Sequence, residues 1–189
     1  MSQKLKVIVC ALLFGAVFGL SLLPLIHETG HALIALMYGG EIDSFVIFGL
    51  NAHVIHHGAS FSVFGQPLHY AAGMLLPIII GAIVINFYKS SFKSACYHFC
   101  FFIASIGLAS SVLPWIAIPI ISLFAPPPPR DDVTKFLNIT GIHPLLISLG
   151  ALLLLGAFVF LAVRKGIFLK IKELSLSFRK QVRGKQTTD

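Results

Sequence analysis

Charged residues are scarce in this sequence. Of its 189 residues, only 11% are Asp, Glu, Lys or Arg, whereas 57% are hydrophobic. A soluble domain carries charge on about a quarter of its residues. A soluble protein with an unusually apolar core is the alternative, but its helices would need a polar outer face, and the apolar runs here have none. The composition therefore indicates a membrane protein.

Four apolar runs have the length that a bilayer span needs, about 18 residues or more. They lie at about 7–38, 67–88, 96–124 and 143–163. The first is longer than the apolar part of a signal peptide and has no small-x-small cleavage site, so we expect it to be retained. We predict an all-α integral membrane protein with four transmembrane helices, a single intramembrane domain over 1–165 and a tail over 166–189.

Cysteine is also scarce. The three cysteines, Cys10, Cys96 and Cys100, lie in or beside the predicted spans. An odd number at such positions argues against a disulfide framework. Cys96 and Cys100 are one helical turn apart and could share a metal ion, but the sequence offers no second pair to complete the site. We expect all three to be packing residues.

Acidic residues are half as frequent as basic ones, seven against 14, which gives a formal net charge of +7. This charge does not indicate a nucleic-acid partner, because the basic residues cluster just outside the apolar runs, at Lys4, Lys6, Lys89, Lys93, Arg164 and Lys165. The positive-inside rule places such residues on the cytoplasmic side. We predict four crossings, both termini in the cytoplasm, and outer loops at 39–66 and 125–142.

The segments between and after the spans carry their own signals. Residues 39–65 are rich in glycine, β-branched and aromatic residues, which predicts one or two short strands at the membrane edge. "APPPPRDD" (125–132) predicts a rigid extended connector. The tail over 166–185 has apolar residues near helical spacing with basic residues between them, which predicts an amphipathic helix on an anionic cytoplasmic leaflet. A frayed basic tail is the alternative.

The first apolar run contains the stretch "LLPLIHETGHALIAL" (22–36). Residues i and i+4 of a helix project from one face, so His27 and His31 can offer two imidazole nitrogens to one metal ion. Glu28 can take a proton from a metal-bound water and pass it to a leaving amine. This His-Glu-x-x-His pattern is the signature of zinc-dependent peptide hydrolysis. Gly30 keeps the helix slim, either for a substrate backbone or for a neighbouring helix.

Burial makes this pattern more informative than it would be in a soluble protein. A single histidine in an apolar helix is more often a core residue than a ligand. Each ionisable group at mid-membrane depth costs about 2.5 kcal/mol or more, however, and three of them fall within five residues. A bound divalent cation compensates for this cost, and we therefore predict a single catalytic zinc ion.

A catalytic zinc site needs a third protein ligand. Carboxylates outside the motif are few: Glu41, Asp43, Asp131, Asp132, Glu173 and Asp189. Asp131 and Asp132 are best placed, since the predicted topology puts them on the same side of the bilayer as the motif. Both also precede the helical pattern "DDVTKFL", so one aspartate could cap the helix while the other binds metal.

The remaining histidines and the lone tryptophan carry weaker signals. The loop histidines could bind a second metal or gate the site, but solvated or interfacial positions are the simpler expectation for them; they are His53, His56 and His57. Three more histidines lie at the edges of spans: His69, His98 and His143. We expect Trp115, between Pro114 and Pro119, to anchor or kink the third span.

Three stretches resemble the site-2 protease family of intramembrane zinc metalloproteases. "HETGHALIALMYGGEI" is similar to the active-site helix and following turn of that family, and "YAAGMLLP" (70–77) to its small-residue helix beside the active site. "DDVTKFLNITGIHP" resembles the aspartate segment of compact bacterial members, which favours Asp132 over Asp131 as the third ligand, although the Asn-Pro-Asp-Gly form is absent. The resemblance implies that His27 and His31 bind zinc and that Glu28 is the catalytic base.

These observations together predict an intramembrane zinc metalloprotease that cleaves a membrane protein in or near a transmembrane segment. The resemblance to bacterial members implies a multi-pass protein of the bacterial inner membrane. Two other functions remain open from the sequence. One is a membrane metal carrier that uses the histidines and aspartates as a relay. The other is a catalytically inactive scaffold with the same fold.

Overall fold

The computed structural model describes residues 3–186, with side chains for all of them except 50 and 179–186. The chain forms eight α-helices in this range: α1 (Gln3–Val17), α2 (Leu23–Met37), α3 (Gly65–Phe87), α4 (Ala95–Ser110), α5 (Leu113–Ile121), α6 (Asp132–Thr140), α7 (Pro144–Arg164) and α8 (Ile167–Gln186). Two strands, β1 (Glu41–Val46) and β2 (His53–His57), lie between α2 and α3.

Within the described residues, four helical segments are long and apolar enough to cross a membrane: Gln3–Met37, Gly65–Phe87, Ala95–Ile121 and Pro144–Arg164. Their outer surfaces carry many exposed apolar side chains, such as Leu12 and Leu153, which lipid would cover. The predicted all-α membrane fold is therefore confirmed. The predicted spans agree with these segments to within a few residues.

The first span contains one wide turn, which the sequence analysis did not predict. Residues Phe18–Leu22 form a π-helical turn, in which the Leu23 amide donates to the Phe18 carbonyl. Pro24 follows directly; its ring has no N–H and would collide with the carbonyl four residues earlier in a regular helix. The wide turn relieves this conflict. The His-Glu-x-x-His motif lies in α2, directly after the turn.

The third span consists of two helices rather than one. α4 ends at Ser110, and α5 begins at Leu113 with Pro114 in its first turn. Trp115 is 6% exposed, and its ring lies edge-on to Phe136 of α6, with ring centroids 5.1 Å apart. The expected kink is therefore present, but Trp115 fills the core between α5 and α6.

The predicted membrane-edge strands form an antiparallel hairpin. β1 and β2 pair from Glu41 opposite His57 to Val46 opposite His53, with an irregularity between Ile42 and Ser44. β2 packs against α2. β1 also contacts α2, so both strands lie close to the motif helix.

The C-terminal segment is helical over 167–186, in agreement with the predicted tail helix. Ile167 is fully buried at its start, and Lys165 donates from Nζ to the Asn86 carbonyl at 2.9 Å. The proposed contact of this helix with an anionic leaflet remains a prediction.

The three cysteines meet at the α1–α4 contact, where Cys10 Sγ and Cys100 Sγ are 3.9 Å apart, and all three are free thiols.

Candidate metal centre

Three side chains from two helices converge on one point. His27 Nε2 and His31 Nε2, one turn apart on α2, are 3.2 Å from each other. Asp132 Oδ2, from the first residue of α6, is 3.1 Å from His31 Nε2 and 3.6 Å from His27 Nε2. Among the described residues, this is the one group of three or more metal-ligating side chains whose donor atoms come this close.

The separations of the donor atoms match the requirement of zinc. Zinc binds nitrogen and oxygen donors at about 2.0–2.1 Å in a tetrahedron, which places neighbouring donors about 3.3 Å apart. The three observed separations, 3.1, 3.2 and 3.6 Å, lie around this value. Two neutral imidazoles and one carboxylate are also a donor set that zinc prefers, and a three-residue set leaves the fourth position for water or substrate.

The two adjacent aspartates have different roles in the structure. Asp131 is the N-cap of α6, where its Oδ1 accepts a hydrogen bond from the Val133 amide at 2.8 Å. Asp132 is therefore the first helical residue and turns toward α2. Val133, which is 1% exposed, fixes the rotation of α6 against the core. Of the two candidate ligands, the structure brings Asp132 to the imidazoles and leaves Asp131 as a cap.

Further contacts orient these three groups. His31 Nδ1 donates to the His69 carbonyl at 2.8 Å, which leaves the lone pair of Nε2 directed at the centre. Lys135 Nζ lies 3.6 Å from Asp132 Oδ1, the oxygen that does not face the imidazoles. Burial pushes the pKa of Asp132 upward, but its contacts with His27, His31 and Lys135 outweigh burial and hold that pKa below its ordinary value. The carboxylate is therefore ionised at neutral pH.

Small residues allow α2 and α3 to approach at backbone distance beside the site. A Cβ atom at Gly30 would collide with the Ala72 carbonyl oxygen. A Cβ atom at Gly73 would collide with His31 Nε2 and lie 2.6 Å from His27 Cε1. Gly30 therefore serves close helix packing, and the small-residue stretch at 70–77 lies against the metal centre, where the resemblance placed it.

Glu28 lies next to the first imidazole and is 9% exposed. Its carboxylate has no hydrogen-bond partner among the described residues. It lines an open cavity of about 230 Å³ between α2, the hairpin tip and the end of α4, together with Leu23, Pro24, His27, Gly49, Ala52 and Ser111. A carboxylate that faces a cavity beside the donor triangle can accept a proton from a water held there.

The other histidines divide into three groups. His53 and His57 are exposed on the hairpin, and His57 Nδ1 donates to Asp43 Oδ1 at 2.8 Å, which raises the pKa of His57. His98 is buried away from the centre, and His143 accepts the Leu145 amide at the start of α7. His56 and His69 lie beside the metal centre, with ring centroids 4.9 Å apart.

His69 is the residue near the centre that the sequence analysis missed. It is 8% exposed and packs on His31, with ring centroids 5.1 Å apart. A signal for it was present, since His69 precedes Gly73 by four residues and therefore lies on the same face of α3. The contact itself joins distant parts of the chain through backbone carbonyls, which no sequence spacing reveals.

Comparison with known proteins gives one match. A sequence model of the Peptidase M50B-like family matches residues 7–125, more than half of the chain. The matched range includes the motif helix, the hairpin and α3, and it ends before Asp132. Neither a curated protein nor a solved structure matches the chain.

Proposed function

The chain belongs to the Peptidase M50B-like family, and from this premise we propose that it is an intramembrane zinc metalloprotease. It hydrolyses a peptide bond in or near a transmembrane segment of a membrane-protein substrate. The observation that carries this proposal is the donor triangle of His27, His31 and Asp132 beside the unpaired carboxylate of Glu28. The position of the His-Glu-x-x-His motif in one of four apolar segments long enough to cross a membrane supports a membrane setting for that chemistry.

Each residue of the site has a defined task in this proposal. His27, His31 and Asp132 hold the zinc ion, which when bound polarises the scissile carbonyl and lowers the pKa of water. Glu28 takes the proton of the attacking water and then gives it to the leaving amine. The His69 carbonyl and Lys135 orient His31 and Asp132.

The hairpin offers a strand edge that could bind a substrate segment in extended form. The sheet has two strands, so no further strand pairs with the outer edge of β1 in the described part of the chain. The hairpin tip, through Gly49 and Ala52, lines the Glu28 cavity. An unwound substrate segment that adds to the β1 edge would pass toward that cavity. Proline at Ser44 or Phe45 should then reduce cleavage without loss of zinc; unchanged cleavage would remove the hairpin from the proposal.

The membrane setting is also part of the proposal. The basic residues that flank the spans favour cytoplasmic termini in a bacterial inner membrane. Lys170 and Lys172 of α8 favour contact with the anionic cytoplasmic leaflet. A fluorescent reporter fused to the C-terminus tests the orientation, since we expect fluorescence only from a cytoplasmic fusion. Binding of an α8 peptide to anionic but not neutral vesicles tests the leaflet contact.

The Glu28→Gln variant separates this function from its rivals. A protease predicts that the variant keeps stoichiometric zinc, traps its substrate and loses all cleavage. A metal carrier predicts that the same variant still transports metal. An inactive scaffold predicts that the substitution has no consequence in cells. Zinc analysis and substrate-trapping proteomics on wild type and variant, purified in parallel, therefore test the proposal.

A further inference from the structure

We propose that His69 is a positioning residue for the metal ligand His31, and that His56 connects this pair to the hairpin. The inference rests on the proposed function. It adds a chain of imidazoles, outside the His-Glu-x-x-His motif, that joins the candidate substrate-binding strand to the metal centre. Successive ring centroids along it, from His27 through His31 and His69 to His56, are 4.9, 5.1 and 4.9 Å apart.

The first link is a reciprocal pair of hydrogen bonds between α2 and α3. His31 Nδ1 donates to the His69 carbonyl at 2.8 Å, and His69 Nδ1 donates to the His31 carbonyl at 3.2 Å. A carbonyl oxygen can only accept, so both Nδ1 atoms carry the hydrogen. Each neutral imidazole then has its lone pair on Nε2. The His31 lone pair faces the metal centre, and the His69 lone pair faces His56.

This arrangement fixes the ligand more firmly than a single hydrogen bond would. The His69 ring binds the backbone carbonyl of His31, and the His31 ring binds the backbone carbonyl of His69. Each residue therefore holds the other at two points. Both side chains are buried, at 5% and 8% exposure, and Phe61 packs on the His69 ring with centroids 4.9 Å apart. Rotation of either imidazole would therefore break a buried hydrogen bond.

The second link runs from His69 to the hairpin. His56 on β2 lies with its Nε2 atom 3.4 Å from His69 Nε2, and the His69 atom must act as the acceptor. His56 therefore donates from Nε2, and its Nδ1 atom is buried with no hydrogen-bond partner in the described part of the chain. Buried polar atoms without partners are rare in proteins. The hydrogen bond to His69 therefore sets the orientation of the His56 ring. In this proposal, a movement of β2 shifts His56 and, through this bond, His69.

Metal binding tests the first link without any need for cleavage. We would measure zinc affinity against a competing chelator, and the absorption spectrum of bound Co²⁺, in the Glu28→Gln background. His69→Ala removes the ring that binds the His31 backbone but keeps the carbonyl that accepts from the His31 ring. It should therefore weaken zinc binding several-fold, less than the about 10- to 100-fold loss for a direct outer partner, and should alter the Co²⁺ spectrum. His69→Asn should restore much of the affinity, because its amide can donate to the His31 carbonyl. The matched control, His57→Ala on the exposed face of β2, should bind zinc as the parent does.

Cleavage kinetics test the second link. His56→Ala should raise KM several-fold while zinc affinity stays within about twofold of wild type, because this change loosens the hairpin and leaves the His31–His69 pair intact. His69→Ala measured at saturating zinc should instead lower kcat. This difference between the two variants would not arise from a general loss of stability.

The two parts fail in different ways. Unchanged zinc affinity and Co²⁺ spectrum in His69→Ala would overturn the positioning role, as would equal impairment of His69→Ala and His69→Asn. An unchanged KM in His56→Ala would overturn the link to the hairpin. If wild type binds zinc as expected but cleaves nothing, the protease proposal fails while the metal measurements still decide the role of His69.

Discussion

Two buried histidines in different parts of the bundle show how a candidate metal ligand differs from a structural residue. His98 on α4 is 1% exposed; its Nε2 donates to the Phe92 carbonyl at 2.7 Å, and its Nδ1 accepts the Tyr88 hydroxyl at 2.8 Å. His31 on α2 uses only Nδ1 in this way. The Nε2 atom of His31 faces His27 Nε2 and the Asp132 carboxylate. Both ring nitrogens of His98 have hydrogen-bond partners in the protein, whereas His31 Nε2 belongs to a group of donor atoms that could hold a cation.

Helix packing beside His31 also differs from helix packing elsewhere in the bundle. α2 meets α3 at backbone distance at Gly30, where an added Cβ would collide with the Ala72 carbonyl. Gly73 of α3 lies directly against the His27 and His31 rings. The first span and α4 meet through side chains, such as the ring of Phe18 in the π-helical turn, which lies against Gly107 of α4. Close backbone contact fixes the positions of helices well. The metal centre is therefore the part of the bundle where small additions of volume should matter most.

The largest effect is expected at Gly73. Gly73→Ala places a methyl group against His31 Nε2 and His27 Cε1, so we expect loss of stoichiometric zinc and of all cleavage. Gly150→Ala on α7 is the matched control, because no atom lies within 4 Å of the added Cβ. Zinc content of the two purified variants measures the contrast. Zinc retained by Gly73→Ala would show that α3 does not confine the imidazoles.

The paired aspartates offer the next comparison. Asp132→Ala removes a ligand and should weaken zinc binding at least about 100-fold, whereas Asp131→Ala removes a helix cap and should cost about 1 kcal/mol of stability with zinc retained. Zinc titration and thermal unfolding in detergent on both variants separate the two roles. The reverse pattern would identify Asp131 as the ligand.

A substitution at His98 should lower stability and leave zinc affinity unchanged, whereas a substitution at His31 should lower zinc affinity. His98→Ala leaves the Tyr88 hydroxyl and the Phe92 carbonyl without their partner, which should cost about 1–3 kcal/mol of stability. Zinc affinity of the folded protein should not change, since His98 makes no contact with the metal centre. A loss of zinc in His98→Ala at temperatures where the protein stays folded would contradict the division into two regions.

The sequence was informative where chemistry depends on local spacing. His27, Glu28 and His31 follow from positions along one helix, and the four spans follow from hydropathy. The choice between Asp131 and Asp132 could not follow from the residues alone, because a cap and a ligand both need a carboxylate and only the rotation of α6 separates them. The π turn before Pro24 and the break before Pro114 depend on how each helix absorbs its proline. The role of His69 depends on contacts between distant segments.

The smallest effect is expected on the exposed hairpin. Asp43 and, less strongly, Glu41 raise the pKa of His57 above its ordinary value. The charged pair therefore contributes to hairpin stability below the unfolded pKa, about 6.5, and that contribution disappears as pH rises through the higher folded value. An NMR titration of the His57 ring should show the raised pKa in wild type and a lower pKa in Asp43→Asn. Identical titrations would show that the pair does not form.

The central claim is that His27, His31 and Asp132 together hold one zinc ion. X-ray absorption spectroscopy at the zinc edge of the Glu28→Gln protein, purified as a full chain, tests it most directly. We predict one zinc per chain, with two imidazole nitrogens and carboxylate or water oxygens at about 2.0–2.1 Å, and loss of the ion in Asp132→Ala. A protein that purifies without zinc, or zinc bound by fewer than two imidazoles, would contradict the account.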